Sequence, residues 1–197
     1  NVNTTEALVR VSSASGPVMN DQSNTPFTIS FTGVTISVNN VWNMISLPVL
    51  SIDPRATSVF PTATSDAFAY EGSYVVEETL LTGYGYWLKF NSNQNVDILG
   101  DSLTEDTIDI VEGWNMVGSI SAPIAVTSIA SIPGGIATSD FFGYSGNYEV
   151  VDSLRPGKGS WVKVSQNGQL ILSSSLSASP SNRIQIGRTN ELPPPAP

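Results

Sequence analysis

An internal duplication constrains this chain more than any other feature of its sequence. Val41-Trp42-Asn43-Met44-Ile45-Ser46 returns 72 residues later as Gly113-Trp114-Asn115-Met116-Val117-Gly118. Beyond it the offset becomes 74, and Thr64-Ser65-Asp66 returns as Thr138-Ser139-Asp140. Phe68, Tyr70, Gly72 and Tyr74 recur as Phe142, Tyr144, Gly146 and Tyr148. Leu80, Gly83, Gly85, Trp87 and Lys89 recur as Leu154, Gly157, Gly159, Trp161 and Lys163. So many matches at a near-constant spacing define a unit of about 70 residues written twice, over 35–106 and 107–180.

Each copy reads as a short β meander. Its lead strand covers Thr35–Pro48, matched by Thr107–Ser121, and a Pro- and Ser-rich crossover with one helical turn near 54–60 follows. A hairpin comes next, in which Phe68-Ala69-Tyr70 turns at Glu71-Gly72 into Tyr74-Val75-Val76, with Ser145-Gly146 as the second turn. Glycine in that slot supplies the positive φ that tight hairpins need. Gly83-x-Gly85 then introduces Tyr86–Phe90, matched by Ser160–Val164, before a last strand at Val96–Leu99 and Leu170–Leu172. Period two places Gly85, Trp87 and Lys89 on one face and Tyr86, Leu88 and Phe90 on the other, which predicts a central strand. The expected architecture is all-β: two tandem sandwich- or barrel-like units, an N-terminal β-hairpin over 1–34, and a closing strand with an extended Pro-rich tail over 181–197.

Composition agrees with this and removes several kinds of function. Apolar residues make up 40% of the chain and charged residues 13%, and the polar remainder is mostly Ser, Thr, Asn and Gly. No sustained 3.6-residue apolar stripe exists. Net charge is −9, and the eight basic residues are scattered, so no basic cluster offers a footprint for nucleic acid or an anionic membrane. Cysteine and histidine are absent, which removes disulfides, thiol and imidazole catalysis and the usual zinc sites. Glu77 and Glu78 are adjacent, so on a strand they point to opposite faces and cannot form a glycosidase pair. We therefore expect no enzyme, no cofactor and no metal. No apolar run approaches the ~18 residues of a membrane span. Asn1–Thr5 is not a signal peptide, so an exported form would be a processed one.

Four tyrosines and tryptophans, Tyr84, Tyr86, Trp87 and Trp161, carry two readings. They form either the packed core of a small β unit or an exposed platform that stacks on sugar rings. Complete burial of Trp87 and Trp161 would speak against the platform. Lys89 and Lys163 share the tryptophan face, where their stems cover the indoles; an ion pair with Asp97 is one further option. The acidic run Asp97, Asp101, Glu105, Asp106 and Asp109 lacks the spacing of a calcium loop and reads as solvated edge charge. Near the N-terminus, Ala7–Ser12 and Pro26–Phe31 read as two strands flanking a polar loop at 13–25. Their apolar side chains, Leu8, Val9, Val11, Phe27, Ile29 and Phe31, are candidate contacts between subunits. Arg183-Ile184-Gln185-Ile186 reads as the closing strand. Leu192–Pro197 reads as a polyproline II spacer toward a further attachment.

The W-N-M-[IV]-[SG] lead, the F-x-Y-x-G-x-Y hairpin and the G-x-G-x-W-x-K strand resemble repeats in large secreted proteins of Bacteroidota and Ignavibacteria-type bacteria. In those proteins such repeats follow Ig-like domains and precede a type IX secretion sorting domain. Val9–Ser12 with Asp21–Ile29 is similar to the last two strands of such an Ig-like domain, and Asn190–Pro195 resembles the linker before the sorting domain. The resemblance implies a secreted, cell-surface bacterial protein. It also implies O-glycosylation at the D-[ST]-apolar triplets, on Ser102, Thr107 or Ser153. From residues and resemblance together we expect an extracellular structural or adhesive module, the subunit of a filament assembled by strand addition between copies. The alternative is a carbohydrate-binding module of a larger secreted protein, with polysaccharide as its partner.

Overall fold

Short strands separated by Gly, Pro, Ser and Asn turns generate nearly all the regular structure, as β-branched and aromatic runs between turn formers dictate. Among the described residues helix is confined to one turn, Ala56–Val59, and a 3-10 turn, Val126–Ser128. The chain is all-β. The computed structural model describes residues 4–12, 20–29, 32–175 and 191–197. It divides into two compact units, 1–32 and 33–197.

The larger unit contains two four-stranded antiparallel sheets with one strand order. In the first, the lead strand Val41–Ser46 pairs with the central strand Gly85–Phe90, then come Ala67–Tyr70 and Tyr74–Glu77. In the second, the order is Gly113–Val117, Ser160–Val164, Phe141–Tyr144 and Tyr148–Val151. Registers match as well: Trp87 lies opposite Met44 and Phe68, and Trp161 opposite Met116 and Phe142. Gly33–Val38 pairs with Gln94–Leu99, and Glu105–Ile110 with Gly168–Ser173, to flank the sheets.

One difference from the expected layout has a local cause. The lead segment over 35–48 is not one strand, because the chain breaks between Gly33–Val38 and Val41–Ser46. The motif asparagine makes this break. The Asn43 side chain accepts the Asn39 N–H at 2.9 Å and donates to the Asn39 and Val41 carbonyls at 2.8 and 3.0 Å. Asn115 repeats the arrangement with the N–H and carbonyl of Val111 and the carbonyl of Gly113. Both asparagines are buried, so each amide stands in for the backbone partners that the break removes. The residue after the break is left-handed in both places, Gly113 at φ 98° and Val41 at φ 79°. Asn39-Asn40 interrupts the apolar alternation here, and the positions that enter the aliphatic-rich core change parity, from Ile36 and Val38 before the break to Ile45 and Leu47 after it.

The Thr-Ser-Asp motif closes the far side of each central strand. Ser65 Oγ accepts the Lys89 N–H at 3.0 Å while the Thr64 N–H donates to the Lys89 carbonyl at 2.8 Å. Ser139 and Thr138 hold Lys163 in the same way, both at 2.8 Å. Between the sheets, the Ser46 N–H donates to the Gly157 carbonyl and the Gly159 N–H to the Met44 carbonyl, each at 3.1 Å. The Gly118 N–H donates to the Gly83 carbonyl at 2.7 Å. Gly83 and Gly157 are both left-handed. A Cβ on Gly157 would lie 2.2 Å from Ile36 Cγ2, and one on Gly83 would lie 2.6 Å from Ile108 Cγ1. These glycines let each sheet's approach segment press on the other sheet's flank.

Residues 1–32 form, where described, a thin antiparallel ribbon. Thr4–Ala7 pairs with Phe27–Ile29 across a register shift, and Arg10–Ser12 with Asn20–Gln22. The expected strand at 7–12 is thus split, between Thr4–Ala7 and Arg10–Ser12, while the one at 26–31 is strand over Phe27–Ile29 where described. Phe31 and the expected closing strand at 183–186 lie outside the described residues.

Two stability outcomes follow. Asn43→Ala is expected to destabilise the larger unit by about 2–4 kcal/mol, since it removes buried bonds and orphans backbone groups, whereas Asn95→Ala, at an exposed pair, stays within about 0.5 kcal/mol. Gly157→Ala is expected to cost about 3 kcal/mol or more, and Gly72→Ala, left-handed but open, only about 1 kcal/mol. Urea unfolding of each variant measures both contrasts.

Candidate functional site

Each four-stranded sheet has two chemically different faces. The inner face of the first carries Ile45, Leu88 and Phe90 into an aliphatic-rich core with Ile36, Leu47 and Ile98. The second does the same with Val117, Val162 and Val164. The opposite faces are aromatic, and they meet each other. Met44, Trp87, Met116, Phe142 and Trp161 are buried there, with half-buried aromatics from both sheets around them. All four tryptophans of the chain belong to this cluster.

The rings interlock edge to face across the junction. Tyr70 meets Trp161 at 5.0 Å and Tyr144 meets Trp87 at 4.8 Å between centroids. Trp42 and Trp114 each stand edge-on to the indole of their own sheet, at 6.4 and 6.2 Å. Such spacings are those of favourable T-shaped pairs. Lys89 Nζ lies 6.0 Å from the Trp42 ring centroid, and Lys163 Nζ the same distance from that of Trp114. Both lysines therefore lie over the indole of the neighbouring lead strand, directly opposite in register, and not over the Trp87 or Trp161 of their own strand that the alternation pointed to.

The C-terminal segment lies on this aromatic surface. Pro193 is buried, and Ala196 packs against the cluster. The Tyr74 hydroxyl donates to the Pro195 carbonyl at 2.5 Å, and the Tyr148 hydroxyl donates to the Pro194 carbonyl. Glu191 anchors the segment's start: its carboxylate pairs with Lys163 at 2.5 Å and accepts the Trp114 indole N–H at 3.4 Å. These two contacts, Lys163 first, hold the Glu191 carboxyl below the usual carboxylate range. The segment read as a spacer from sequence is docked.

Burial governs the tyrosines. It pushes the Tyr74 hydroxyl up to about 12 and raises that of Tyr148 as well. The buried indole N–H groups of Trp87 and Trp161 face these hydroxyls electrostatically, and each favours the phenolate, too weakly to outweigh burial. Neither indole N–H makes a hydrogen bond of regular geometry. Both hydroxyls thus remain protonated donors through the neutral range.

The four residues read from sequence as a sugar platform are not brought together. Trp87 and Trp161 are fully buried at 0% exposure, which removes the flat solvent-facing surface that stacking needs. Tyr86 points to the opposite, aliphatic-rich face and is also buried, its hydroxyl accepting the Leu81 N–H at 2.9 Å. Tyr84 is half-buried and donates to the Asp109 carbonyl. The acidic run disperses: Asp97 accepts the Thr35 hydroxyl at 2.6 Å and Asp109 the Gln169 amide at 2.8 Å. Asp97 makes no ion pair with Lys89, and no metal-binding cluster exists among the described residues. Ser102 and Thr107 are exposed, while Ser153 is half-buried in a two-residue pairing with Ile124–Ala125. Sequence reasoning placed Tyr74 and Tyr148 in the repeated hairpin but missed their role as donors. It also missed Glu191 and the prolines as their partners. Comparison with protein-family models, curated proteins and solved structures finds no match to this chain.

Since the folded state holds the protons of Tyr74 and Tyr148 more tightly than the unfolded chain, this contribution is fully present below pH 10. It is lost as pH rises from there through about 12. Stability is expected to fall over that interval, and Tyr74→Phe with Tyr148→Phe to flatten the fall. Unfolding midpoints measured from pH 8 to 11.5 test the slope.

Proposed function

We propose that this chain is an extracellular structural or adhesive module whose copies join by strand addition. The observation that carries this reading is the thin N-terminal ribbon. It is two strands wide where described, and Leu8, Val9 and Val11 stand 43, 54 and 67% exposed. An isolated two-stranded ribbon is marginal in water, and its unpaired edges are templates for another strand. The larger unit offers such partners. Its sheets end on Tyr74–Glu77 and Tyr148–Val151, whose Val76 and Val150 are exposed. Pairing a ribbon of one copy with an end strand of the next repeats head to tail, which generates a filament when the rotation does not close. The chemistry of the aromatic junction is packing and hydrogen-bond donation.

An outer location fits the same observations. Few charged residues and abundant Ser, Thr and Asn suit an exported bacterial protein. No helix among the described residues is long and apolar enough to cross a membrane.

Val9→Glu with Val11→Glu changes exposed positions and introduces repulsion along the ribbon. The native chain is expected to show concentration-dependent association by sedimentation and threads by electron microscopy. The double variant is expected to remain monomeric. Two identical monomers, or threads in both, would overturn strand addition.

A further inference from the structure

The aromatic junction differs from the two aliphatic-rich cores in what its polar atoms can do. The side-chain groups that meet the tail, the Tyr74 and Tyr148 hydroxyls, the Trp114 indole and the Lys163 ammonium, all act as donors toward it. The unsatisfied Trp87 and Trp161 indoles beneath are donors as well. An ordinary peptide laid here would bury backbone N–H groups against donors, at the cost of leaving them unpaired. A run of prolines has no backbone N–H and presents carbonyl acceptors alone. Its φ is fixed, and residues before proline are held extended, so little conformational freedom is lost on docking. In Leu192-Pro193-Pro194-Pro195-Ala196-Pro197 every residue is a proline or precedes one.

From this complementarity we propose that the aromatic junction is a recognition groove for proline-rich segments bearing an N-terminal carboxylate, with Glu191–Pro197 as its resident ligand. Consecutive carbonyls, of Pro194 and Pro195, meet hydroxyls from different sheets, Tyr148 and Tyr74. The ligand therefore straddles the junction, and the groove exists only when both sheets are in place. The carboxylate sets direction. Lys163 over Trp114 holds Glu191, while the matching pair, Lys89 over Trp42, has no ion-pair partner among the described residues. The inference is independent of strand addition through the N-terminal ribbon, since it uses no residue of 1–32.

The test uses the full chain carrying Pro193→Ser, Pro194→Ser and Pro195→Ser, which empties the groove without shortening the protein. A synthetic peptide, Glu-Leu-Pro-Pro-Pro-Ala-Pro, is titrated while tryptophan emission is followed, because every tryptophan of the chain lies at the site. A saturable change is expected for the variant. At least about tenfold more peptide is expected for the native chain, whose tethered tail competes at a high effective concentration. The same peptide with alanine for each proline should leave emission unchanged. No saturable response of the variant, or an equal response to the alanine peptide, overturns the proposal. Should the triple variant not fold, Glu191→Gln and Lys89→Gln in the native background decide the matter. Glu191→Gln should let the peptide compete at several-fold lower concentration and Lys89→Gln should not; equal behaviour of the two overturns it.

Discussion

A Cβ on Gly159 would sit 3.0 Å from the Ile45 carbonyl oxygen, and one on Gly85 would sit 3.1 Å from that of Val117. These contacts are tighter than side chains ordinarily tolerate, and they mark where the two sheets of the larger unit come together. Close approach is the constraint on which the remainder rests. It brings the aromatic faces within reach of each other, so that Tyr70 covers the indole of one sheet and Tyr144 that of the other. If the glycines were larger, the sheets would part, and Trp87 and Trp161 would face water instead of each other's tyrosines.

Burial of those two indoles is favourable despite an evident defect. A buried donor without a partner costs about 1–3 kcal/mol. Removing the ~150–250 Å² of a tryptophan side chain from water contributes up to about 4–6 kcal/mol at ~25 cal/mol per Å². The apolar term wins, and the unsatisfied N–H groups of Trp87 and Trp161 are tolerated. The same balance explains why the junction is aromatic whereas the inner faces are rich in Val, Ile and Leu. Aliphatic side chains pack on any apolar neighbour. Aromatic ones with N–H and O–H groups also need acceptors nearby, and the proline carbonyls supply two.

Much of this was legible in the chain, and the limits have physical reasons. Strand content, the hairpins and the central position of Tyr86–Phe90 all follow from period-two alternation and turn chemistry. The break at Asn39-Asn40 did not, because it is held by the Asn43 side chain, through bonds that the residue order does not display, although the core-facing positions change parity across it, from Ile36 and Val38 to Ile45 and Leu47. The aromatic residues were visible as repeated positions, but a sequence gives no sign of which sheet face meets another face. Period two grouped Tyr86 apart from Trp87, and still the two were placed on one candidate platform; the alternation was the better guide. The C-terminal prolines were legible as an extended polyproline II segment. Their docking was not, since it depends on tyrosines located 121 and 46 residues earlier in the chain.

Two nearly equivalent sheets create a groove with no inherent direction, whereas a peptide has one. Trp42 with Lys89 and Trp114 with Lys163 offer the same anchor at either end, down to an equal 6.0 Å spacing. Packing of proline rings on aromatic rings does not distinguish the two directions, because a polyproline II helix presents similar ridges either way. What breaks the tie is a single carboxylate. The Glu191–Lys163 pair is partly exposed, and ion pairs that water reaches contribute little net stability. Its part is therefore selection between two near-degenerate arrangements, for which a small difference suffices. Hydrophobic and aromatic contacts hold the segment, and the charge decides which way it lies.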